Sequence, residues 1–333
     1  MTRVTLIRGD GIGPEITDAT VSMIEATGAD IQWDEQQAGA SAVALHSTPF
    51  PKVTLESIRE TKLALKAPLT TPVGGGYRSV NVGIRQELDL YANIRPVRTF
   101  EGLNVRYDNV DLVVVRENTQ GLYSGIEHFI DPKKDAAQAI SFISRYASER
   151  VIRYAFEYAR RNGRKKITLV HKANILKLTT GLFLQVGREL SQEYPEIEFE
   201  DRIVDAMAMN LVIRPESFDI LVTTNLFGDI LSDLTAGLVG GLGLAPGANH
   251  GDDVTIYEAI HGTAPDIAGR GVANPTALAL SACMMLRDIG HREQGDRLET
   301  AIRGVIKERK TVTPDLGGSA STQDFAKAVI ARL

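Results

Sequence analysis

Short apolar runs alternate along the chain with longer segments in which apolar residues recur every three or four positions. The short runs, rich in β-branched side chains, predict strands, and the longer periodic segments predict amphipathic helices. The predicted strands span residues 4–8, 31–34, 63–67, 91–98, 111–116, 166–170, 197–204 and 219–223. The predicted helices run from the turn at 9–15 to about 27, and over 79–90, 146–162, 180–194, 205–214 and 225–240. Strands and helices that alternate in this way are typical of an α/β fold.

The first turn, Gly9-Asp10-Gly11-Ile12-Gly13, imitates a dinucleotide-binding fingerprint. It follows a strand, opens a helix and is followed by Asp34 about twenty residues further on. The fingerprint requires its third glycine one position later than Gly13, where this chain has Pro14. The turn is therefore weak evidence for a Rossmann domain. The alternative is a tight turn whose glycines let the backbone approach another segment.

Composition and charge exclude several classes of protein. The 333 residues include 43% apolar and 24% charged side chains, as in an ordinary globular protein long enough for two domains. A net charge of −5 argues against a general nucleic-acid binder, and the single Cys283 excludes an internal disulfide framework. We find no secretory-signal pattern and no apolar run near the ~18 residues of a membrane span. We expect a protein of the cytoplasm, or of the mitochondrial matrix in a eukaryote, without nucleic-acid or membrane partners.

Two aspartates in the predicted helix 225–240 are the first candidates for chemistry. Asp229 and Asp233 are four residues apart, so a helix places them one above the other on the same face. A cation between them would relieve their repulsion, and Mg²⁺ and Mn²⁺ prefer carboxylate oxygens. The alternative is a pair of solvated acids, but the flanking leucine, isoleucine and glycine residues predict that this helix is buried.

Three arginines share a setting that differs from an ordinary charged surface. Arg85, Arg95 and Arg116 each lie at the end of an apolar or extended run rather than in a cluster of charges. Guanidinium groups bind carboxylates and phosphates through two parallel hydrogen bonds. The alternative is three separate salt bridges. Together with the candidate metal pair, the arginines indicate a small polycarboxylate substrate held by guanidinium groups and a divalent ion.

Several long motifs follow one another along the chain. They are GDGIGPE at 9–15, LDLYANIRP at 88–96, RENT at 116–119, HKAN at 171–174, NLFGDILSD at 225–233 and the stretch 258–274. In these motifs and their order the chain resembles the β-decarboxylating dehydrogenases, the family of isocitrate, homoisocitrate and 3-isopropylmalate dehydrogenases. The resemblance covers nearly the whole chain, which makes a chance match a poor explanation.

The resemblance implies an α/β fold that is not a Rossmann fold, so the glycine-rich opening belongs to a different kind of first turn. It implies two domains around a central cleft that holds the substrate. The large, cofactor-binding domain is expected to comprise residues 1–98 and 247–333, and the small domain residues 99–246. The small domain is expected to carry the metal-binding and catalytic residues and the interface of a homodimer, with assembly beyond the dimer left open.

The resemblance also implies roles for single residues. The three arginines match the family's ligands for substrate carboxylates, and Asp229 and Asp233 match its metal ligands. Asp205 matches a metal ligand supplied by the neighbouring subunit, and Lys172 and Asn174 match residues that cross the dimer interface. Each active site would then combine residues of two subunits, so a monomer should be inactive.

The reaction implied is the oxidative decarboxylation of a 2-hydroxy acid that carries a carboxylate on C3. Hydride leaves C2 for the nicotinamide while a base takes the hydroxyl proton, and CO₂ is lost before C3 is protonated. A divalent metal acts as a Lewis acid and stabilises the charge that develops. Lys172 is the predicted base and Tyr123 the predicted proton donor, although water and Asp229 could share the transfer.

The helix that follows the glycine run 74–76 is expected to contact the part of the substrate that varies within the family. It presents Ser79 and Asn81, which can hydrogen-bond a third carboxylate, whereas isopropylmalate dehydrogenases present leucines here. The predicted substrate is therefore isocitrate, converted to 2-oxoglutarate and CO₂. Homoisocitrate and 3-isopropylmalate are alternatives, and Ser79 could also serve as an N-cap. A regulatory subunit that binds isocitrate without catalysis is a further alternative, although it would be expected to lack some of the active-site residues found here.

NAD rather than NADP is the predicted cofactor. Asp266 lies where family members distinguish the two, because a carboxylate accepts hydrogen bonds from both ribose hydroxyls and repels a 2′-phosphate. NADP-using relatives place Lys and Tyr at positions 266 and 267, and Tyr and Arg where this chain has Pro314 and Gly318. The other residues predicted to contact NAD are His261, Gly262, Ala264, Ile267 and Asn274, the last of which would read the adenine. The alternative for Asp266 is a salt bridge at a helix end.

Overall fold

The computed structural model describes residues 1–71 and 79–333. The chain forms two compact units, each assembled from separate stretches of sequence. The first unit comprises Met1–Leu88, Thr99–Asp108 and Ala236–Leu333, and the second unit comprises Asp89–Arg98 and Asn109–Thr235. The domain boundaries expected from the resemblance, at 98/99 and 246/247, stay a prediction.

Each unit is built on strands of mixed direction. In chain order the strands are β1 (Thr2–Ile7), β2 (Ile31–Gln36), β3 (Leu63–Lys66), β4 (Ala92–Arg98), β5 (Asp111–Glu117), β6 (Glu127–Phe129), β7 (Ala137–Ala139), β8 (Lys166–His171), β9 (Glu198–Ile203), β10 (Ile220–Thr223), β11 (Pro246–His250) and β12 (Thr255–Ala259). The first unit has the order β2-β1-β3-β12-β11, in which only the β11–β12 pair is antiparallel. The second unit has the order β4-β5-β10-β8-β9, in which only the β4–β5 pair is antiparallel. β6 and β7 form a separate antiparallel pair.

Helices follow most of the strands. They are α1 (Gly13–Ala26), α2 (Ala40–His46), α3 (Lys52–Thr61), α4 (Val80–Glu87), α5 (Arg145–Asn162), α6 (Thr179–Ser191), α7 (Val204–Ile213), α8 (Asn225–Leu238), α9 (Thr276–Asp288), α10 (Arg292–Glu308) and α11 (Thr322–Ile330). This alternation confirms the predicted α/β class. Within the described parts of the chain, no helix is both long enough and apolar enough to cross a membrane.

The predicted elements agree with the structure up to α8, whereas α2, α3, β6, β7 and the elements from β11 to α11 were not predicted. Each predicted strand overlaps one of β1–β5 or β8–β10. The helix predicted over 205–214 begins one residue earlier, at Val204, because α7 follows β9 directly with Ile203 as its N-cap. Asp205 lies in the first turn, where a carboxylate still favours the helix. β6 and β7 could not be predicted, because their residues are all exposed and buried positions do not alternate with exposed ones.

Each unit has its own apolar core. In the first unit α1, α9, α10 and α11 pack together, and α9 also packs on β3 and β12 and is buried along nearly its whole length. In the second unit α5 and α6 pack against β5, β8 and β10. These cores hold the strand ends in fixed positions, and the polar side chains that matter below extend from those ends.

Three neighbouring parallel strands of the second unit bring polar residues to one edge of its sheet. Thr223 on β10 is in register with Arg116 on β5 and with Val170 on β8. The chain continues from these strands into Lys172 and Asn225. The carboxyl ends of parallel strands are the usual location of ligand sites in α/β proteins. The topology therefore places the predicted chemistry where such folds bind their ligands.

Candidate active site

Arg116 is the buried centre of a polar cluster in the second unit. Only 1% of its side chain is exposed. Its Nε and Nη2 atoms donate to Asn225 Oδ1 at 3.1 and 2.7 Å, and its Nη1 atom donates to Asp229. The Asn225 amide donates to the main-chain oxygen of Gln120 at 3.0 Å, which leaves Oδ1 facing the arginine. Arg116 is thus held in one orientation by the first turns of α8.

Arg95 lies between the two predicted metal ligands. This buried side chain extends from β4, and its Nε atom donates to Asn93 Oδ1 at 2.7 Å. Its Nη1 atom donates to Ser232 Oγ at 2.6 Å and to Asp233 Oδ1 at 3.3 Å. Its Nη2 atom is 3.5 Å from Asp229 Oδ1. One guanidinium group therefore bridges the two aspartates, and the chain itself supplies a cation for the pair.

Tyr123 joins the same group of side chains. Its phenol donates to Asp229, and its ring centre lies 5.0 Å from the guanidinium carbon of Arg116. Burial raises the pKa of this phenol, and the carboxylate of Asp229 raises it further, so the phenol keeps its proton. We call Arg95, Arg116, Tyr123, Asp229 and Asp233 the aspartate cluster.

The two aspartates are only partly buried. The side chains of Asp229 and Asp233 are 36% and 55% exposed, and Ile230 is 58% exposed. Partial burial raises the pKa of the Asp233 carboxyl by more than the guanidinium group of Arg95 lowers it. The prediction that α8 is buried therefore holds for one of its faces and is wrong for the face that carries Ile230 and Asp233.

The aspartate cluster offers a metal ion two carboxylates of suitable chemistry. Hard oxygen ligands one helical turn apart suit Mg²⁺ or Mn²⁺. Across residues 1–71 and 79–333, however, no three His, Cys, Asp or Glu side chains come close enough together to hold a metal ion. Asp205, the third predicted ligand, pairs with Lys172 instead. The chemistry of Asp229 and Asp233 fits Mg²⁺ or Mn²⁺.

Lys172, Asn174 and Asp205 extend from neighbouring strand ends of the second unit, and we call them the Lys172 group. The parallel pairing of β8 with β9 brings the segments that follow these strands together. Lys172 Nζ donates to Asp205 Oδ1 at 2.5 Å, and this hydrogen bond lowers the pKa of the carboxyl. The side chain of Asn174 is exposed. Among the described residues, Lys172 forms no hydrogen bond or ion pair with the aspartate cluster.

A second charged cluster, in the first unit, surrounds Arg85. Lys66 Nζ is 2.6 Å from Glu258 Oε2, and Arg85 Nη2 is 3.1 Å from Oε1 of the same carboxylate, which is 4% exposed. Asn249 Nδ2 donates to Glu258 Oε1 at 2.7 Å. Burial alone would raise the pKa of Glu258, but Lys66 and Arg85 outweigh it and hold the pKa far below its ordinary value. We call these four residues the lysine cluster, in which two cations face one carboxylate.

Lys66 and Glu258 were not among the residues predicted to form the site. A signal for Lys66 exists in the sequence, because it ends the apolar strand β3, where a lysine has to be paired. Glu258 gives the same signal in the apolar strand β12. The two strands are far apart in sequence and become neighbours only in the folded sheet, so the pairing itself has no local signature.

Ser79 and Asn81 lie at the start of α4. Ser79 is the N-cap: its hydroxyl accepts a hydrogen bond from Val82 N at 3.5 Å, and Thr71 Oγ1 donates to it at 3.2 Å. The Oδ1 atom of Asn81 is buried and has no hydrogen-bond partner among the described residues. The glycine run expected before this helix, at 74–76, lies outside the described residues. The start of α4 therefore contains an unpaired acceptor, which only a hydrogen-bond donor could satisfy.

A cavity of about 560 Å³ in the first unit is bordered by most of the predicted NAD-binding residues. Its lining includes His261, Gly262, Ala264, Ile267 and Asn274. Asp266 is exposed, and its side chain forms no hydrogen bond or ion pair with the described residues, so the alternative salt bridge is not formed. The cavity also includes Pro314, which was expected only to distinguish NAD from NADP enzymes.

His261, which borders this cavity, contains a buried acceptor without a partner among the described residues. Its Nδ1 atom is 2.9 Å from the main-chain oxygen of Gly262, so Nδ1 carries the proton and Nε2 is an acceptor. Nε2 is buried without a partner among the described residues. Burial lowers the pKa of the imidazole, which keeps the ring neutral. A ribose hydroxyl would satisfy this atom, so the cavity fits a nucleotide.

Asp315 is a further residue of the cavity wall that the sequence did not predict. Asn274 Nδ2 donates to Asp315 Oδ2 at 2.9 Å, and Asn274 Oδ1 accepts from Thr276 N at 3.0 Å. Thr313 Oγ1 donates to the other oxygen of Asp315 at 2.5 Å. Both ends of the Asn274 amide are thus engaged by the protein, which fixes this residue at the cavity.

Comparisons with known proteins agree with the sequence motifs. A family model for isocitrate/isopropylmalate dehydrogenase matches residues 3–329. The crystal structure of an isocitrate dehydrogenase from Methylococcus capsulatus is similar, with a TM-score of 0.98 and 59% identity over 100% of this chain and 99% of that one. A mitochondrial NAD isocitrate dehydrogenase catalytic subunit from Arabidopsis thaliana is 48% identical, over 98% of this chain and 87% of the relative. A regulatory subunit of the corresponding enzyme from Dictyostelium discoideum is 47% identical, over 99% of this chain and 92% of the relative.

The comparisons confirm the predicted fold, an isocitrate/isopropylmalate dehydrogenase-like α/β fold distinct from a Rossmann fold. They include catalytic and regulatory subunits at nearly the same identity, so overall similarity does not separate those two roles. The family model extends over nearly all of the sequence, and the solved structure matches from end to end. The chain belongs to the isocitrate/isopropylmalate dehydrogenase family.

Proposed function

We propose that this chain is a catalytic NAD-dependent isocitrate dehydrogenase, which converts isocitrate to 2-oxoglutarate and CO₂. The observation that carries the proposal is the aspartate cluster, where buried guanidinium groups, a protonated phenol and two carboxylates share one hydrogen-bonded network. A subunit that only binds a ligand has no need for a phenol kept protonated beside such arginines. The names of the relatives support isocitrate as substrate and NAD as cofactor.

In this proposal guanidinium groups bind the carboxylates of the substrate. Arg95 and Arg116 are buried and held by Asn93 and Asn225, so they lose little conformational freedom when a carboxylate binds. Arg85 is held by a carboxylate in the lysine cluster, which keeps an excess of positive charge. Three arginines of this kind suit a substrate with three carboxylates.

Asn81 favours isocitrate over a substrate with an apolar tail. The Nδ2 group of its amide can donate a hydrogen bond to a third carboxylate. An apolar tail such as that of 3-isopropylmalate would leave this donor unsatisfied, at a cost of roughly 1–3 kcal/mol. Ser79 caps α4 as an acceptor and keeps a hydroxyl proton to donate to a carboxylate. Homoisocitrate also carries a third carboxylate, so the assay below has to separate it from isocitrate.

Two positions near the cavity favour NAD over NADP. The exposed carboxylate of Asp266 is available to accept hydrogen bonds from a ribose. Gly318 stands where NADP-using relatives carry arginine. A Cβ atom there would overlap the main-chain oxygen of Val312 and lie 2.8 Å from its Cγ2 atom. A larger side chain at position 318 therefore requires the main chain to move, which disfavours a guanidinium group for a 2′-phosphate.

The proton transfers fall to side chains of the protein. Lys172 takes the proton of the C2 hydroxyl, and Tyr123 gives a proton to C3 after CO₂ has left. When bound, NAD would accept the hydride from C2, and Mg²⁺ or Mn²⁺ would supply Lewis acidity toward the substrate oxygens. The raised pKa of Tyr123 suits a proton donor, because the phenol stays protonated at neutral pH. Water then restores the proton of Tyr123, and Asp229, which accepts the phenol hydrogen bond, orients the phenol.

A homodimer would bring the Lys172 group of one subunit to the aspartate cluster of the other. Apolar side chains are exposed after β8 and on α7 and α8: Leu178, Met209, Ile213 and Ile230 are 87%, 56%, 64% and 58% exposed. Exposed apolar surface of this kind marks a protein interface, and a symmetric dimer would bury it on both subunits. The missing metal ligand would then come from Asp205 of the second subunit.

An assay of nicotinamide reduction tests the reaction and its specificity. Absorbance at the reduced-nicotinamide band should rise with isocitrate, NAD and Mg²⁺ or Mn²⁺, and a chelator should abolish the rise. Turnover should be slower with NADP, homoisocitrate or 3-isopropylmalate. A best rate with homoisocitrate would keep the reaction but overturn the role given to Ser79 and Asn81. Isocitrate binding by calorimetry without turnover would identify a regulatory subunit instead.

Mixing two nearly inactive variants tests the composite site. Lys172→Met and Asp233→Asn should each have only a small residual activity alone. A heterodimer of the two has one site with both changes and one site with neither, so random assortment should restore about a quarter of the wild-type activity. If mixing restores nothing although the chains exchange, both residues act within one chain.

A further inference from the structure

His171 is a buried residue of the HKAN motif for which the proposed chemistry has no role. It ends β8, directly before Lys172, and its ring is 5% exposed. Both ring nitrogens are engaged. Nδ1 accepts a hydrogen bond from Ala173 N at 3.0 Å, and Nε2 is 3.1 Å from Asp201 Oδ2 on the neighbouring strand β9. The ring thus connects the sheet to the main chain just beyond Lys172.

The hydrogen bonds determine which nitrogen carries the proton. Because Nδ1 accepts a main-chain N–H, the proton lies on Nε2 and is donated to Asp201. Asp201 Oδ1 accepts from Arg188 Nη2 at 2.9 Å. Burial would raise the pKa of Asp201, but the hydrogen bonds from Arg188 and His171 lower it, so the carboxylate stays charged. His171 is therefore anchored on one side by a charged group that is itself held in place.

The segment that follows His171 depends on a small number of hydrogen bonds. Lys172 N donates to Thr180 Oγ1 at 3.2 Å, and the Lys172 main-chain oxygen accepts from Ile175 N and Leu176 N at 3.0 and 2.8 Å. Residues 174–178 are exposed. The bond from Ala173 N to the imidazole ties the middle of the motif to the interior of the second unit.

We propose that His171 is a positioning residue, which holds the main chain at Ala173 and thereby sets the direction of Lys172 and Asn174. The inference rests on the proposed function, because the direction of Lys172 matters for turnover only if Lys172 takes part in it. A displacement of about 1 Å of a catalytic group can cost on the order of 10²-fold in rate. His171 thus contributes to catalysis through its neighbour and without contact to the substrate.

Two conservative variants separate the two hydrogen bonds of the ring. The amide oxygen of His171→Asn lies close to the position of Nδ1 and can still accept from Ala173 N, but it cannot reach Asp201. The amide of His171→Gln reaches the position of Nε2 and keeps Asp201, but it leaves Ala173 N without its acceptor. We expect His171→Gln to lower kcat by on the order of 10²-fold with little change in KM, and His171→Asn to retain most of the activity. The exposed His46, changed to Gln, is the control.

A double-mutant cycle distinguishes positioning from general destabilisation. If His171 acts through Lys172, His171→Gln should have no further effect on the residual rate of Lys172→Met. A structural role would make the two losses additive, and it would make His171→Asn as harmful as His171→Gln. Either result would overturn the proposal.

Hydrogen exchange at the Ala173 amide tests the positioning without any assay of activity. The amide should be protected in the wild type and in His171→Asn, and should exchange faster in His171→Gln at unchanged thermal stability. Equal protection in all three proteins would refute the inference. If the wild type does not oxidise isocitrate, the proposed function fails, and the exchange data still decide whether His171 holds Ala173.

Discussion

The lysine cluster and the aspartate cluster contain the same kinds of charged groups but balance them in opposite ways. The carboxylate of Glu258 is 4% exposed and is shared by two cations. The carboxylates of Asp229 and Asp233 are 36% and 55% exposed, and they occupy the N–H groups of Arg95 and Arg116. One cluster keeps positive charge in the interior, whereas the other neutralises itself at a partly open surface.

This difference indicates different demands on a ligand. In the lysine cluster Arg85 is already aligned by Glu258, so an incoming carboxylate meets a preorganised cation. In the aspartate cluster a substrate carboxylate has to compete with Asp229 for Arg116, or share it. We therefore expect changes in the lysine cluster to appear mainly in stability and changes in the aspartate cluster mainly in turnover.

Glu258→Gln should give the largest loss of stability. It leaves Lys66 and Arg85 in the interior without a carboxylate, and breaking a buried ion pair in this way costs about 3–5 kcal/mol. The free energy of unfolding from urea titration measures the loss. Glu87→Gln, which removes the exposed partner of Arg59, should change it by less than about 1 kcal/mol. Similar small losses in both variants would show that the lysine cluster is not the stabilising network described here.

Asp229→Asn should lower turnover strongly and stability little, the reverse of what we expect for Glu258→Gln. The variant keeps one amide oxygen where Asp229 uses two, so it cannot accept from both Tyr123 and Arg116, and it loses one carboxylate of the predicted metal pair. Asn225 still holds Arg116. We expect kcat/KM for isocitrate to fall by roughly 10²–10³-fold, with a free energy of unfolding within about 1 kcal/mol of the wild type. Steady-state kinetics and urea titration on the same preparation measure both. Asp252→Asn, a change at an exposed loop carboxylate, should leave both unchanged.

The two clusters also differ in how far the sequence predicts them. Arg95, Arg116, Asp229 and Asp233 could be found because each belongs to a long motif with a fixed order, and Arg85 because it lies at the end of an apolar run. Which residues pair with one another could not be found, since a motif reports residue types and a periodic pattern reports burial, but neither reports which strand lies beside which.

The position of Arg95 shows this limit clearly. It bridges Asp229 and Asp233 because β4 places it against α8, a contact between segments far apart in sequence. The exposure of Ile230 is a similar case, because the apolar composition of α8 predicts that the helix is buried but not which of its faces is buried.

Gly228→Ala should have a smaller effect, and it tests whether the contact between Arg116 and α8 contributes to stability. The stem of Arg116 crosses α8 at this glycine, and a Cβ atom there would lie 2.5 and 2.7 Å from Arg116 Cγ and Cβ. The buried arginine has to shift, which we expect to cost about 1–3 kcal/mol in stability and to raise the KM for isocitrate. Gly237→Ala on the same helix meets nothing within 4 Å and should be neutral or stabilising by up to about 1 kcal/mol. Equal effects would mean that helix propensity, not the contact with Arg116, decides the outcome.

The smallest expected effect is a difference in pH dependence, and its sign distinguishes the clusters. The pKa of Glu258 in the folded protein lies far below the value of about 4.3 for an unfolded chain, so charged Glu258 contributes stability above that pH. That contribution is lost as the pH falls from about 4.3 toward the folded pKa, because the unfolded state then binds the proton that the folded state does not. The stability advantage of the wild type over Glu258→Gln should therefore shrink with acidification.

Asp233 should show the opposite trend. Its folded pKa is raised above the value of about 3.9 for an unfolded chain, so the charged form opposes folding and the penalty disappears at low pH. Measured with a chelator present, Asp233→Asn should be slightly more stable than the wild type at pH 7, by less than about 1 kcal/mol, and should lose this advantage below pH ~4. Urea titrations of the wild type and both variants between about pH 3.5 and 7 measure the two trends. The stability difference between each variant and the wild type should change with pH in opposite directions, because the folded pKa values of Glu258 and Asp233 are shifted in opposite directions. If both differences change in the same direction, the two clusters do not differ in charge balance.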